Sequence, residues 1–129
     1  MDNVPHTLSK KERLCSRKAI DELFSGGHQS VSAYPIRAVF MPREQSEVRI
    51  MVSVSKRYFK RAVKRNRIKR QLREAYRLQK ELLLPLNSGL DIAFLWTSDE
   101  MLSIEIISRR MHNILQRIHE SVNPAPLVS

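Results

Sequence analysis

Residues 48–83 read VRIMVSVSKRYFKRAVKRNRIKRQLREAYRLQKELL, and two periodicities follow one another within them. From Val48 to Val54, Val48, Ile50, Val52 and Val54 alternate with Arg49, Met51 and Ser53. This is the period-two pattern of a strand with one packed face and one free face. From about residue 60 to 83 the period lengthens, and Ile68, Leu72, Ala75, Gln79 and Leu83 recur at helical spacing. A strand leading directly into a long helix with a narrow apolar stripe predicts a helix packed on a sheet, hence an α+β domain.

Working outward, Ser16 is a candidate N-cap for a first helix over about 16–24, with Ile20, Leu23 and Phe24 on one face and Gly26-Gly27 as its stop. Ser9-Lys10-Lys11-Glu12 matches a capping box just before it. Residues 33–41, AYPIRAVFM, read as a strand with Tyr34, Ile36, Ala38 and Phe40 on one face, and PREQSE (42–47) reads as a hairpin loop to the next strand. Pro85 closes the long helix and Asn87-Ser88-Gly89 makes a turn. DIAFLW (91–96) is a short buried strand, and a last helix over about 100–121 carries Ile107, Met111, Ile114, Leu115 and Ile118. With 129 residues and no linker, the expectation is one domain over 1–129: a two-layer sandwich of a small sheet and helices, with a loose arm at 1–8 and a frayed tail at 122–129.

The charge is concentrated. Residues 56–80 hold twelve Lys/Arg against one acid, Glu74, while the other 104 residues hold eleven basic and twelve acidic side chains. One short segment therefore carries the net charge of +10. On an ideal helix Asn66, Lys69, Arg70, Arg73, Arg77 and Lys80 fall within an arc of about 100°, away from the apolar stripe. Lys60, Arg61, Lys64, Arg65 and Arg67 surround the first turns and cannot be buried unpaired. With almost no acids for i,i+4 pairing these charges repel one another, and arginine's bidentate fork fits phosphate. A polyanionic partner, nucleic acid first, is the expectation; composition does not separate RNA from DNA.

Other chemistries are excluded or weak. No apolar run reaches the ~20 residues of a membrane span, and MDNVPHTLSKKERL lacks the apolar core of a secretory signal. Cys15 has no partner for an internal disulfide, so a cytoplasmic protein is expected. The acids are scattered, His112 and His119 lack a third ligand, and Trp96 reads as core, so neither a metal site nor a protein-borne nuclease centre is expected. Arg37 and Arg49, with Ser53 and Ser55, are expected on the free sheet face as the floor of a polar groove.

VSVSKRYFKRAVKRNRIKRQLREAYR resembles the signature of the bacterial ribonuclease P protein family, centred on Arg65-Asn66-Arg67 and followed by Ile68-Lys69-Arg70 and Leu72-Arg73-Glu74-Ala75. LSKKERL (8–14) and the helix ending Leu23-Phe24 before Gly27 also resemble that family's start. The resemblance implies a fold like the second domain of ribosomal protein S5, with the basic helix as a left-handed crossover against the usual rule. It implies the protein subunit of an endoribonuclease: a catalytic RNA, holding Mg²⁺, removes the 5′ leader of precursor tRNA. The RNA-facing set would be Lys56, Arg57, Lys60, Arg61, Lys64, Arg65, Asn66, Arg67, Lys69, Arg70, Arg73 and Arg77. A leader cleft would be formed by Ile20, Phe24, Arg37, Arg49 and Ser53. No membrane and no protein partner is implied, and no cofactor is bound by the chain itself. Two departures from the family pattern stand out: Ile20 where many relatives carry an aromatic, and Tyr58-Phe59-Lys60 in place of a shorter Gly-containing stretch. A structural ribosomal or rRNA-binding protein without processing activity is the alternative that fits the same charge.

Overall fold

Four strands form one mixed sheet in the order β1-β2-β4-β3, with β1 Gln29–Ala33, β2 Ile36–Arg43, β3 Val48–Val54 and β4 Gly89–Trp96. Three helices accompany it: α1 Arg17–Phe24, α2 Ala62–Gln79, extended by a 3₁₀ turn at Lys80–Leu83, and α3 Ile104–Val122. The structure is a computed structural model and describes residues 12–26, 29–44, 47–84 and 89–122. The capping box at Ser9, Gly27, the turn at 85–88 and the ends at 1–8 and 123–129 lie outside the described residues.

The central strand explains the architecture. β4 runs antiparallel to β2 and parallel to β3, so α2 is the crossover of a β3-α2-β4 unit. Of its eight residues only Leu95 is more than marginally exposed, as a strand covered on both faces and both edges requires. This corrects the hairpin expected at 42–47: β2 and β3 are not neighbours, because β4 lies between them. A short polar loop after a strand reads alike whether the next strand pairs with it or skips one position. β1 was not anticipated. QSVSA is an edge strand with only Val31 and Ala33 half-covered, too polar to declare itself. It joins β2 through a turn at Tyr34-Pro35, whose peptide bond is cis; Tyr34, expected on the packed face of the strand, lies in this turn and is 67% exposed.

The main core lies between one sheet face and α2 with α3. Ile36, Ala38 and Phe40 of β2, Ile50, Val52 and Val54 of β3, and Ile92, Phe94 and Trp96 of β4 meet Ile68, Leu72, Ala75 and Tyr76 of α2. All five apolar residues expected on the last helix are buried there, and α3 continues to Val122, which packs on this core rather than fraying. On the opposite face α1 seats Leu23, with Ala19 and Ile20, on Leu14, Val39 and Ala93. Ser16 caps α1, accepting from the Ala19 amide at 3.3 Å. An eight-residue helix is too short to be stable alone, so it persists by this docking.

Candidate nucleic-acid interface

The connection from β3 to α2 is built before the cationic face begins. Ser55 turns the chain, its Oγ accepting from the Arg57 amide at 3.0 Å and its carbonyl from the Tyr58 amide at 3.1 Å. Phe59 then plugs the core. Arg65, one turn into the helix, reaches back and donates through Nη1 to the carbonyls of Phe59 and Lys60 at 2.7 and 2.8 Å. The longer connection is thus accommodated by an aromatic anchor and an arginine clasp, with Lys56, Arg57, Lys60 and Arg61 left exposed around it.

α2 itself has an unusual beginning. Its first turn holds no acidic residue and its N-cap position, Arg61, makes no side-chain cap. Helix starts carry partial positive charge and unfilled amide donors, which proteins ordinarily meet with Asp, Glu, Ser or Thr. Here Lys60, Arg61 and Lys64 add positive charge instead.

Along the helix, Lys64, Asn66, Arg67, Arg70 and Arg73 are exposed, and Lys69 is half-buried beside the core stripe. Among the described residues no carboxylate lies within ion-pair distance of Lys56, Arg57, Lys60, Arg61, Lys64, Arg65, Arg67, Lys69, Arg70 or Arg73. The far end of the ridge differs. Arg77 makes a two-pronged contact with Glu74 at 3.1 and 2.6 Å, which raises its pKa, and Lys80 meets Glu12 at 2.6 Å. The uncompensated ridge therefore runs from residue 56 to 73 and stops short of Arg77. Arg73 has its pKa lowered by partial burial and, secondarily, by the positive charge of Arg13. Arg13 bridges to Ile50 on the β3 edge, where the Leu14 amide donates to the Ile50 carbonyl at 2.8 Å. This neighbour of the ridge was missed in sequence because it lies 60 positions away from Arg73.

The sheet face opposite the main core is the second candidate surface. Register pairs Ser32 with Arg37, Arg37 with Leu95 and Ser53 with Leu95, so these four form one row across the sheet. α1 covers the neighbouring row of Val39, Ala93 and Met51, leaving Arg37 exposed and Ser53 half-exposed beside it. Ile20 is half-buried where α1 meets the sheet, whereas Phe24, on the same side of the helix, is 43% exposed. Arg49 shares this face, but its guanidinium is engaged: Nε and Nη2 donate to both oxygens of Asp91 at 2.9 Å each, and this bonding raises its pKa. Arg43 Nε lies 3.5 Å from the same buried carboxylate. Arg49 is therefore a structural cation, and of the two arginines expected on the groove floor only Arg37 meets no carboxylate among the described residues.

No group of three or more His, Cys, Asp or Glu among the described residues could hold a metal, and no described helix is long and apolar enough to cross a membrane. His112 and His119 bond to Gln79 Oε1 at 3.2 Å and to the Leu83 carbonyl at 3.0 Å, respectively.

Comparison with known proteins agrees with this geometry. The family model described as Ribonuclease P matches residues 8–119. The chain is 43% identical to a ribonuclease P protein component of Porphyromonas gingivalis, over 93% of this chain and 92% of that one. It is 32% identical to the corresponding component of Chlorobaculum tepidum, over 88% and 83%. Among solved structures, the RNase P protein of Thermotoga maritima superposes with a TM-score of 0.70 at 22% identity, covering 82% of this chain and 96% of that one. The Staphylococcus aureus protein gives 0.68 at 23%, covering 88% and 100%. A basic crossover helix whose cations up to Arg73 meet no carboxylate among the described residues, a sheet with one partly open face and a matching sequence over most of its length place this chain in the ribonuclease P protein family.

Proposed function

We propose that this protein is the RNA-binding subunit of a cytoplasmic ribonuclease P, assisting a catalytic RNA in the endonucleolytic removal of the 5′ leader from precursor tRNA. The cationic ridge of α2 rests on the catalytic RNA. The open sheet face beside α1, with Phe24, Ile20, Arg37 and Ser53, holds the single-stranded leader. The catalytic RNA supplies the Mg²⁺ and the hydrolysis. The protein's own residues bind and orient: Lys56 to Arg73 neutralise phosphates where two polyanions must approach, and the shallow cleft restrains an unpaired strand.

The observation that carries this reading is the run of cations from 56 to 73 without internal carboxylates, on a helix whose other side is committed to the core. Such a face is costly to maintain without a polyanion, and cations aligned along one helix face suit the regular charges of a phosphate backbone.

Reconstitution tests it. The full chain is mixed with a ribonuclease P RNA and precursor tRNA at low Mg²⁺, where repulsion between the RNAs limits docking. Cleavage at the mature 5′ end should depend on the protein, and Phe24→Ala should reduce the preference for leader-bearing substrate over mature tRNA. RNA binding without stimulated processing would point instead to a structural rRNA-binding protein, and an undiminished preference in Phe24→Ala would remove that residue from the leader site.

A further inference from the structure

A second concave surface is formed by α3 rather than by α1 or α2. α3 packs over β1 and β2, at the sheet edge opposite the β3 edge where α2 lies. Between α3 and the β1–β2 turn is a notch of about 490 Å³, lined by Ala33, Tyr34, Arg109, Arg110 and Asn113. Its lining contains cations, an amide and an aromatic ring, and no carboxylate.

The parts are held in place. Arg110 Nε donates to the Tyr34 carbonyl at 3.0 Å, which fixes that guanidinium against the turn and leaves its remaining N–H groups available. Two turns further along α3, Arg117 Nη1 donates to the Ser32 carbonyl at 2.6 Å and lies 3.5 Å from Asn113 Oδ1. These bonds dock α3 on β1 and orient Asn113. Arg109 is exposed and makes no ion pair with a described residue. At the rim, Tyr34 is 67% exposed, the most exposed aromatic ring among the described residues.

We infer that this notch binds one nucleotide of a single-stranded RNA segment, its base stacked on Tyr34 and its phosphate held by Arg109 and Arg110. An exposed aromatic side chain beside two arginines is the combination that single strands use, since every base offers a π-face and every phosphate a bidentate acceptor. Asn113 adds a donor for a sugar or base edge. The notch is a separate site, and the assignment does not depend on where the leader or the catalytic RNA binds.

The test uses the intact ¹⁵N-labelled chain, titrated with adenosine 5′-monophosphate, ribose 5-phosphate and a tetra-adenylate, reading amide shifts at residues 33, 34 and 109–113 separately from those of α2 and of the open sheet face at Ser32, Arg37 and Ser53. Adenosine monophosphate should give saturable shifts at the notch and bind at least about fivefold tighter than ribose 5-phosphate, as expected for one stacked base. Tyr34→Leu should erase that preference and Tyr34→Phe keep it. Arg109→Gln should weaken both ligands by about tenfold, the loss of one charge-assisted contact. The tetra-adenylate should bind tighter than the mononucleotide. Absence of saturable shifts at the notch, equal affinity for the two monophosphates, or a base preference that survives Tyr34→Leu would each overturn the site. A mononucleotide that binds as well as the tetra-adenylate would overturn the strand.

Discussion

Asp91 shows how one residue redistributes the roles of its neighbours. It is 3% exposed on the sheet face opposite the main core, in register with Met41 and Arg49. A carboxylate there is tolerable only when paired, and Arg49 supplies both of its hydrogen bonds while Arg43 adds a second positive charge. The pairing engages Nε and Nη2 of Arg49 and ties β3 to β4 on this face. Asp91→Asn should therefore lower the stability by about 2 kcal/mol, below the range for fully buried pairs because the arginine stems remain partly solvated. Arg49→Met combined with Asp91→Leu should recover most of that loss, since an apolar pair of similar size needs no partner. Urea unfolding midpoints of the three proteins decide this. An Asp91→Asn midpoint equal to that of the parent would mean that the pair contributes nothing to the fold.

At the scale of elements, α2 depends on an arrangement at its start that propensity does not supply. With no acidic first turn and no side-chain cap, its approach is held by the anchor of Phe59 and by Arg65 bonding two carbonyls. Arg65→Gln should loosen this clasp. Amide exchange at residues 58–64 should rise about tenfold, the loss of a charge-assisted hydrogen bond, while the core amides of α3 keep their protection. Unchanged exchange at 58–64 would show the clasp to be incidental. The same elements show what was legible in the residues. The stripes Ile68-Leu72-Ala75 and Ile107-Met111-Ile114-Leu115-Ile118 declared α2 and α3, because helix faces that meet a core must repeat near 3.6. The parity of Ile36, Ala38 and Phe40 was equally readable. β1 was not, because an edge strand of Gln and Ser carries no apolar alternation, and strand order was not, because loop length alone does not encode it. Of the candidate site, the density of cations was legible from the count. Which cations are neutralised was only half so: Arg77 with Glu74 is a local i,i+3 pair, but Arg49 with Asp91 and Lys80 with Glu12 depend on the fold.

For the whole molecule, the fold sorts charges into compensated and uncompensated sets, and binding to a polyanion should register only the second. Arg43 and Arg49 share Asp91, Arg77 has Glu74 and Lys80 has Glu12, whereas the ridge from Lys56 to Arg73 has no carboxylate partner among the described residues. Each uncompensated cation that meets a phosphate releases condensed counterions, so affinity for RNA should fall steeply with salt. With about six phosphates neutralised, log K against log salt should have a slope of about −4 to −5. Arg70→Ala and Arg73→Ala should each weaken binding and flatten that slope by about 0.7 to 0.9. The double variant Arg49→Met with Asp91→Leu leaves the net charge unchanged and removes no ridge cation, so its slope should match the parent's. Filter-binding titrations across a range of monovalent salt separate the two classes. A slope unaltered in Arg70→Ala and Arg73→Ala would take those side chains out of the phosphate interface, and a flattened slope in the Arg49/Asp91 double variant would mean that the open sheet face, rather than α2, carries the electrostatic contact.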